Sequence, residues 1–138
     1  MKNAMVLLLS IFLAATTASA ARAETPAQHV QEIKMKRVGV EEFDKLRSQT
    51  NTLVLDVRTE KEFKAGHIPG AVNIDVNSKV FEAQVGKLGT NKTFLVHCAA
   101  GVRSRRACQV LNAAGFPFLY DLAPGFNGWE KAGKPEEK

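Results

Sequence analysis

The chain has 138 residues, 45% of them hydrophobic and 24% charged, with a formal net charge of +5 at pH 7. That length allows one compact domain with one core. The positive balance is mild and dispersed, which suits a site that attracts small anions and excludes the basic stripe of a nucleic-acid binder.

Residues 1–23 read as a targeting segment. Lys2 supplies a basic start, Ala4–Ala15 is an uncharged apolar run, and residues 16–23 are small apart from Arg22. Two small-x-small sites overlap there, Ala18-Ser19-Ala20 and Ala21-Arg22-Ala23. The pattern is that of a secretory signal peptide, cleaved after Ala20 or Ala23. A bilayer span takes roughly 20 apolar residues, and this run is too short to remain as an anchor. The expected location is periplasmic or secreted, with no membrane attachment after cleavage. The mature chain keeps 17 basic and 14 acidic residues, a net charge of +3.

Residues 24–35 lack a sustained period and read as a linker, ahead of a domain expected over 36–134 and a frayed polar tail over 135–138. In chain order, strands are expected at Lys36–Val38, Leu53–Asp56, Val72–Ile74, Thr93–His97 and Phe118–Asp121. Helices are expected at Val40–Arg47, Glu60–Ala65, Val80–Leu88, Arg103–Ala114 and Phe126–Lys131. Strands alternating with helices imply parallel crossovers and a sheet covered on both faces, an α/β/α arrangement. Ligands in such sheets bind outside the carboxyl ends of the strands. That directs attention to Arg58, to residues 98–103 and to residues 122–129.

The segment from Phe94 to Phe116 carries the strongest chemical signal. A strand ends at His97, and Cys98-Ala99-Ala100-Gly101-Val102-Arg103 joins it to a helix. Small residues let such a loop curl until several backbone N–H groups converge. The following helix adds its unpaired N–H groups and partial positive charge at the same point. A cysteine placed there has a lowered pKa and is nucleophilic as the thiolate. Arg103 can add a full charge in the first turn, and Ser104 can cap that turn or bond within the loop.

On composition alone, a single Cys98–Cys108 disulfide is the simplest reading. Helical geometry opposes it. Cys108 shares a buried stripe with Ala107, Leu111 and Ala114, about 7–8 Å along the axis from Arg103. A disulfide needs Cβ atoms roughly 4 Å apart, so Cys108 reads as a core thiol. Without a nearby cluster of histidine or aspartate, no metal site is expected. His97 should point away from Cys98, since neighbours on a strand face opposite sides. His67, in a Gly-His-Ile-Pro-Gly turn, suits a structural hydrogen bond, and His29 in the linker carries no signal. Arg105 and Arg106 read as a solvated helix face.

Residues 36–134 resemble a rhodanese domain. The matching pieces are Leu53-Val54-Leu55-Asp56-Val57-Arg58 with Glu62-Phe63, then Gly66 to Ile74, the Cys98–Ser104 loop, Leu111 with Gly115-Phe116, and Gly125 to Trp129. The signal peptide plus one domain is similar to the small periplasmic phage-shock rhodaneses. The resemblance implies a five-stranded parallel sheet between helices and a catalytic Cys98. That cysteine would take sulfane sulfur from a small anionic donor such as thiosulfate and carry it as a persulfide to a thiol or cyanide. It also implies that Ala99, Ala100, Gly101, Val102 and Arg103 hold the donor and the persulfide, with Asp56 and Arg58 as a supporting ion pair. No cofactor is expected, and the chain is expected to be a monomer. Leu122-Ala123-Pro124-Gly125 departs from the usual Leu-x-Gly-Gly of the family, which bears on acceptor selectivity.

Cysteine-dependent phosphatases use the same cradle and often begin it with His-Cys. They place one residue more between cysteine and arginine than the four found here, Ala99 to Val102. The shorter loop suits a single sulfur atom better than a phosphoryl group. Asp121 is the only candidate after a strand for the acid such an enzyme needs. A non-catalytic binding module is a further alternative, and thiol–disulfide exchange lacks a resolving cysteine within reach.

Overall fold

A computed structural model describes residues 34–138, so the expected signal segment and nearly all of the expected linker lie outside the described residues. Five strands, β1 (Lys34–Val38), β2 (Thr52–Asp56), β3 (Val72–Asn73), β4 (Thr93–His97) and β5 (Phe118–Leu122), form one sheet in the order β1-β5-β4-β2-β3. Every pairing is parallel. The helices are α1 (Val40–Arg47), α2 (Glu60–Ala65), α3 (Phe81–Gly86), α4 (Val102–Ala113) and α5 (Gly125–Lys131).

Strand alternation divides the core in two. Leu55, Phe94, Val96 and Leu119 point to one face and pack with Phe81 and Val85 of α3 and Ala107, Cys108 and Leu111 of α4. Val54, Leu95 and Leu122 point to the other and pack with Phe43 of α1 and Phe126 and Trp129 of α5. Each fully buried large apolar side chain stabilises the fold by about 1.5–3 kcal/mol. The central strand β4 is buried on both faces from Phe94 to His97, as a parallel strand between helix layers must be.

The element bounds depart from expectation in instructive ways. β1 starts at Lys34, two residues inside the expected linker, because Lys34 and Met35 pair with Phe118 and Leu119. Met35 is 40% exposed, so this extension is held by backbone pairing and leaves no buried pattern to read. The helix expected at Val80–Leu88 begins after Val80 and ends at Gly86, with Leu88 N–H donating to Val85 O in a turn. α2 is set by a capping box in which Thr59 accepts from Glu62 N–H and the Glu62 carboxylate accepts from Thr59 N–H.

The residues of the polar tail make contacts back to the domain. His67 and Glu137 exchange two backbone hydrogen bonds of 2.8 Å in an antiparallel bridge. Trp129 Nε1 donates to Pro135 O at 2.8 Å, and Lys134 Nζ lies 3.0 Å from Asp44 Oδ2. Backbone groups, one indole and the Lys134 ammonium make these contacts.

Candidate active site

The cradle is shaped by where its carbonyls are pulled. Phe126 N–H, at the start of α5, donates to Cys98 O at 2.7 Å, and Asn127 N–H donates to Ala99 O at 3.0 Å. Arg37 Nη2 donates to Gly101 O at 3.4 Å and to Ala123 O at 3.2 Å. In a trans peptide C=O and N–H point opposite ways. Holding Ala99 O outward therefore turns the Ala100 amide of the same peptide inward. Gly101 N–H donates to Cys98 Sγ at 3.1 Å, and Ser104 Oγ lies 3.5 Å from the same sulfur.

Two glycines make this turn possible. Gly101 has φ +83°, and a Cβ there would sit 2.1 Å from Ala123 O. Gly125 has φ +61°, and a Cβ there would sit 2.4 Å from Ala99 O. Both are left-handed positions with no room for a side chain.

Cys98 is 1% exposed. Burial acts to raise its pKa, yet hydrogen bonds from the Ser104 hydroxyl and from the amides of Ser104, Ala100 and Gly101 outweigh it and bring the thiol below its ordinary value. Of the expected loop amides, Ala100 and Gly101 act on the sulfur, and Ser104 contributes an amide in addition. Ser104 does not cap the turn: the N-cap of α4 is Gly101, and no side chain caps the helix. Its hydroxyl takes the alternative role, bonding within the loop.

Arg103 does not present a free charge to the loop. Its guanidinium grips Glu62 in a two-pronged contact, Nη1 to Oε2 at 2.8 Å and Nη2 to Oε1 at 2.7 Å. The Arg103 hydrogen bond is the main cause holding the Glu62 carboxyl down at about 2, with Thr59 assisting against burial. Glu62 thus serves both the cap of α2 and the rim of the loop. The sequence showed Glu62 beside Phe63 but could not show its partner across 41 positions.

Asp56 and Arg58 form a buried pair: Arg58 Nη2 reaches Asp56 Oδ2 at 2.7 Å and Gly66 O at 2.7 Å. The Arg58 guanidinium stands over the Phe126 ring, 4.1 Å from its centroid. It lines an open cleft of about 270 Å³ with Glu62, Ala99, Phe126 and Asn127. Val102 is 78% exposed at the tip of the loop.

His97 lies on the face opposite Cys98, packed against Phe43 and Phe126, with Nδ1 donating to Cys98 O at 3.3 Å. Burial, opposed by Asp56, drops its pKa to about 4, so the ring is neutral. His67 Nδ1 donates to Phe63 O at 3.0 Å. Cys108 is a free buried thiol, pushed up to about 12 by burial and by Asp121. Arg105 and Arg106 are exposed, with Arg106 Nη2 reaching Asn77 Oδ1 at 2.5 Å.

Asp121, the candidate acid for phosphate chemistry, is 0% exposed. Its Oδ2 lies 3.1 Å from Arg37 Nε. Neither Asp121 nor Arg37 stood out as a pair in the sequence, because strands β1 and β5 come from opposite ends of the described chain.

A family model described as the rhodanese-like domain matches residues 39–132. The chain is 29% identical over 97 residues to thiosulfate sulfurtransferase GlpE of Shewanella oneidensis, covering 70% of this chain and 94% of that protein. It is 34% identical over 96 residues to the protein of the same name from Pseudomonas putida, covering 70% and 86% respectively. Among solved structures it is similar in fold to a rhodanese-related protein of Thermoplasma volcanium, with a TM-score of 0.66, 24% identity, and 74% and 97% of the two chains covered.

Proposed function

Since the chain belongs to the rhodanese family, we propose that it moves sulfane sulfur from a small anionic donor to a thiol or cyanide through a persulfide on Cys98. The supporting observation is the 3.1 Å contact from Gly101 N–H to Cys98 Sγ inside a loop only four residues long before Arg103. With thiosulfate as donor, the Cys98 thiolate attacks the outer sulfur, an S–S bond forms, and sulfite leaves with the electron pair of the broken bond. The inward amides of Ala100, Gly101 and Ser104 are placed to stabilise the persulfide anion. The acceptor then attacks the outer sulfur and Cys98 leaves as the thiolate. Arg58 and Glu62 line the adjoining cleft, with the Arg58 charge offset by Asp56 and the Arg103 charge by Glu62.

Incubation with thiosulfate should add the mass of one sulfur atom at Cys98, and cyanide should remove it as thiocyanate. Cys98→Ser should abolish both, an alcohol being a far poorer nucleophile than a thiolate. Ready hydrolysis of an aryl phosphate with no sulfur acquired would overturn this reading in favour of a phosphatase. The same proposal places the mature protein in the periplasm or outside the cell. Its N-terminus there should be Ala21 or Glu24 by mass analysis; retention of residues 1–15 in a membrane fraction would contradict export.

A further inference from the structure

The loop after β4 is fastened at its two halves by different means. The first half is tied to α5 through backbone groups, Phe126 N–H on Cys98 O and Asn127 N–H on Ala99 O. The second half, at Gly101, is tied to the other side of the sheet by a side chain. Arg37 Nη2, from the edge strand β1, stands 3.4 Å from Gly101 O and 3.2 Å from Ala123 O. The three groups are in close contact: a Cβ on Gly101 would meet Ala123 O at 2.1 Å and Arg37 Nη2 at 2.8 Å.

Ala123 precedes Pro124, which has no N–H to give. The Ala123–Pro124 peptide therefore brings an acceptor and no donor to this contact, and Arg37 supplies the donor. The departure of Ala123-Pro124 from the usual Leu-x-Gly-Gly is thus matched by a guanidinium from another strand. That guanidinium is itself aimed. Asp121 of β5 is 0% exposed, and its Oδ2 lies 3.1 Å from Arg37 Nε. The donors of arginine sit in a rigid planar fork, so anchoring Nε at Asp121 fixes where Nη2 points.

We propose that Arg37 is a positioning residue for the Cys98 nucleophile, acting through Gly101. Gly101 carries both ends of the linkage: its O accepts from Arg37 Nη2, and its N–H donates to Cys98 Sγ at 3.1 Å. Glycine has more backbone freedom than any other residue. The Gly101 N–H keeps its aim at the sulfur because the carbonyl of the same residue is held from outside. Loss of the Arg37 fork frees this one amide, while the first half of the loop stays fastened to α5.

This inference rests on Cys98 as the nucleophile of the sulfur-transfer reading, but its test needs no sulfur donor, so either can fail alone. The probe is the full chain with Arg37→Lys, whose single nitrogen cannot hold Asp121 and both carbonyls as the fork does. Amide hydrogen exchange, followed by NMR, should speed up on the order of tenfold at Gly101 and hardly at all at Phe126 and Asn127. A general loosening of the fold would speed all three together. Alkylation of Cys98 by iodoacetamide at neutral pH, read by intact mass, should slow on the order of tenfold, the worth of one hydrogen bond to a charged group. Unchanged exchange at Gly101 overturns the proposal. So does an increase shared equally by the three amides, and so does alkylation at the native rate. Should Arg37→Lys fail to fold, Arg37→Met combined with Asp121→Asn removes the fork without leaving a buried carboxylate unpaired, and the same three outcomes decide.

Discussion

At the scale of single residues, His97 and Cys98 are neighbours held in opposite electrostatic conditions. His97 has a folded pKa of about 4 against an ordinary 6.5. Between those values the unfolded chain binds a proton that the folded chain refuses, so stability is full above pH 6.5 and is lost as pH falls toward 4. The loss is on the order of 3 kcal/mol. Denaturant midpoints measured from pH 7 to 4 should show this slope, and His97→Gln should flatten it. Cys108, also buried among apolar side chains, predicts the contrast with Cys98. Cys108→Ser should leave sulfur transfer intact and cost about 1–3 kcal/mol, because a hydroxyl is then buried in an apolar stripe. Thermal and denaturant unfolding of the active variant measure it. The separate placements of the two thiols, Cys98 in the loop and Cys108 on the buried stripe of α4, were legible from spacing, since helix pitch and strand alternation are local rules. The partners of Arg103 and Asp121 were not, because nothing local announces a contact between distant segments.

At the scale of elements, the loop after β4 works because α5 and Arg37 hold its carbonyls from outside. Gly101 is the hinge of that arrangement. Gly101→Ala would drive a Cβ to 2.1 Å from Ala123 O at φ +83°, so the loop must shift and the amide that meets Cys98 Sγ moves with it. The variant should lose most of its cyanide-dependent thiocyanate formation and should raise the Cys98 pKa, as read by alkylation. Gly125→Ala should behave similarly from the other side of the contact. Helix and strand identities followed from apolar periodicity and turn residues throughout. Their ends did not, as Lys34 and Met35 show: backbone pairing to β5 extends the strand, and Met35 is 40% exposed.

At the scale of the whole molecule, the C-terminal residues close the fold over the turn that holds Arg58. Glu137 pairs with His67, next to Gly66, whose carbonyl receives Arg58 Nη2. A chain ending at Ala132 should therefore melt at lower temperature and bind the donor less well, even though residues 133–138 touch no atom of Cys98. Calorimetry and the thiosulfate dependence of transfer separate the two effects. A full-length midpoint unchanged by truncation would show that the bridge contributes nothing. The three-layer sheet itself was legible from the alternation of strands and helices, whereas the order of its strands is a matter of tertiary packing.

That strand order has a kinetic corollary. β1 has β5 as its neighbour in the sheet, and β5 is the last strand of the chain. As the polypeptide emerges from the ribosome, β2, β3 and β4 can meet while β1 still lacks its template. Non-local parallel pairing of this kind is slow to form. The nascent chain thus stays incompletely folded until nearly all of it has been made, an interval set by its topology.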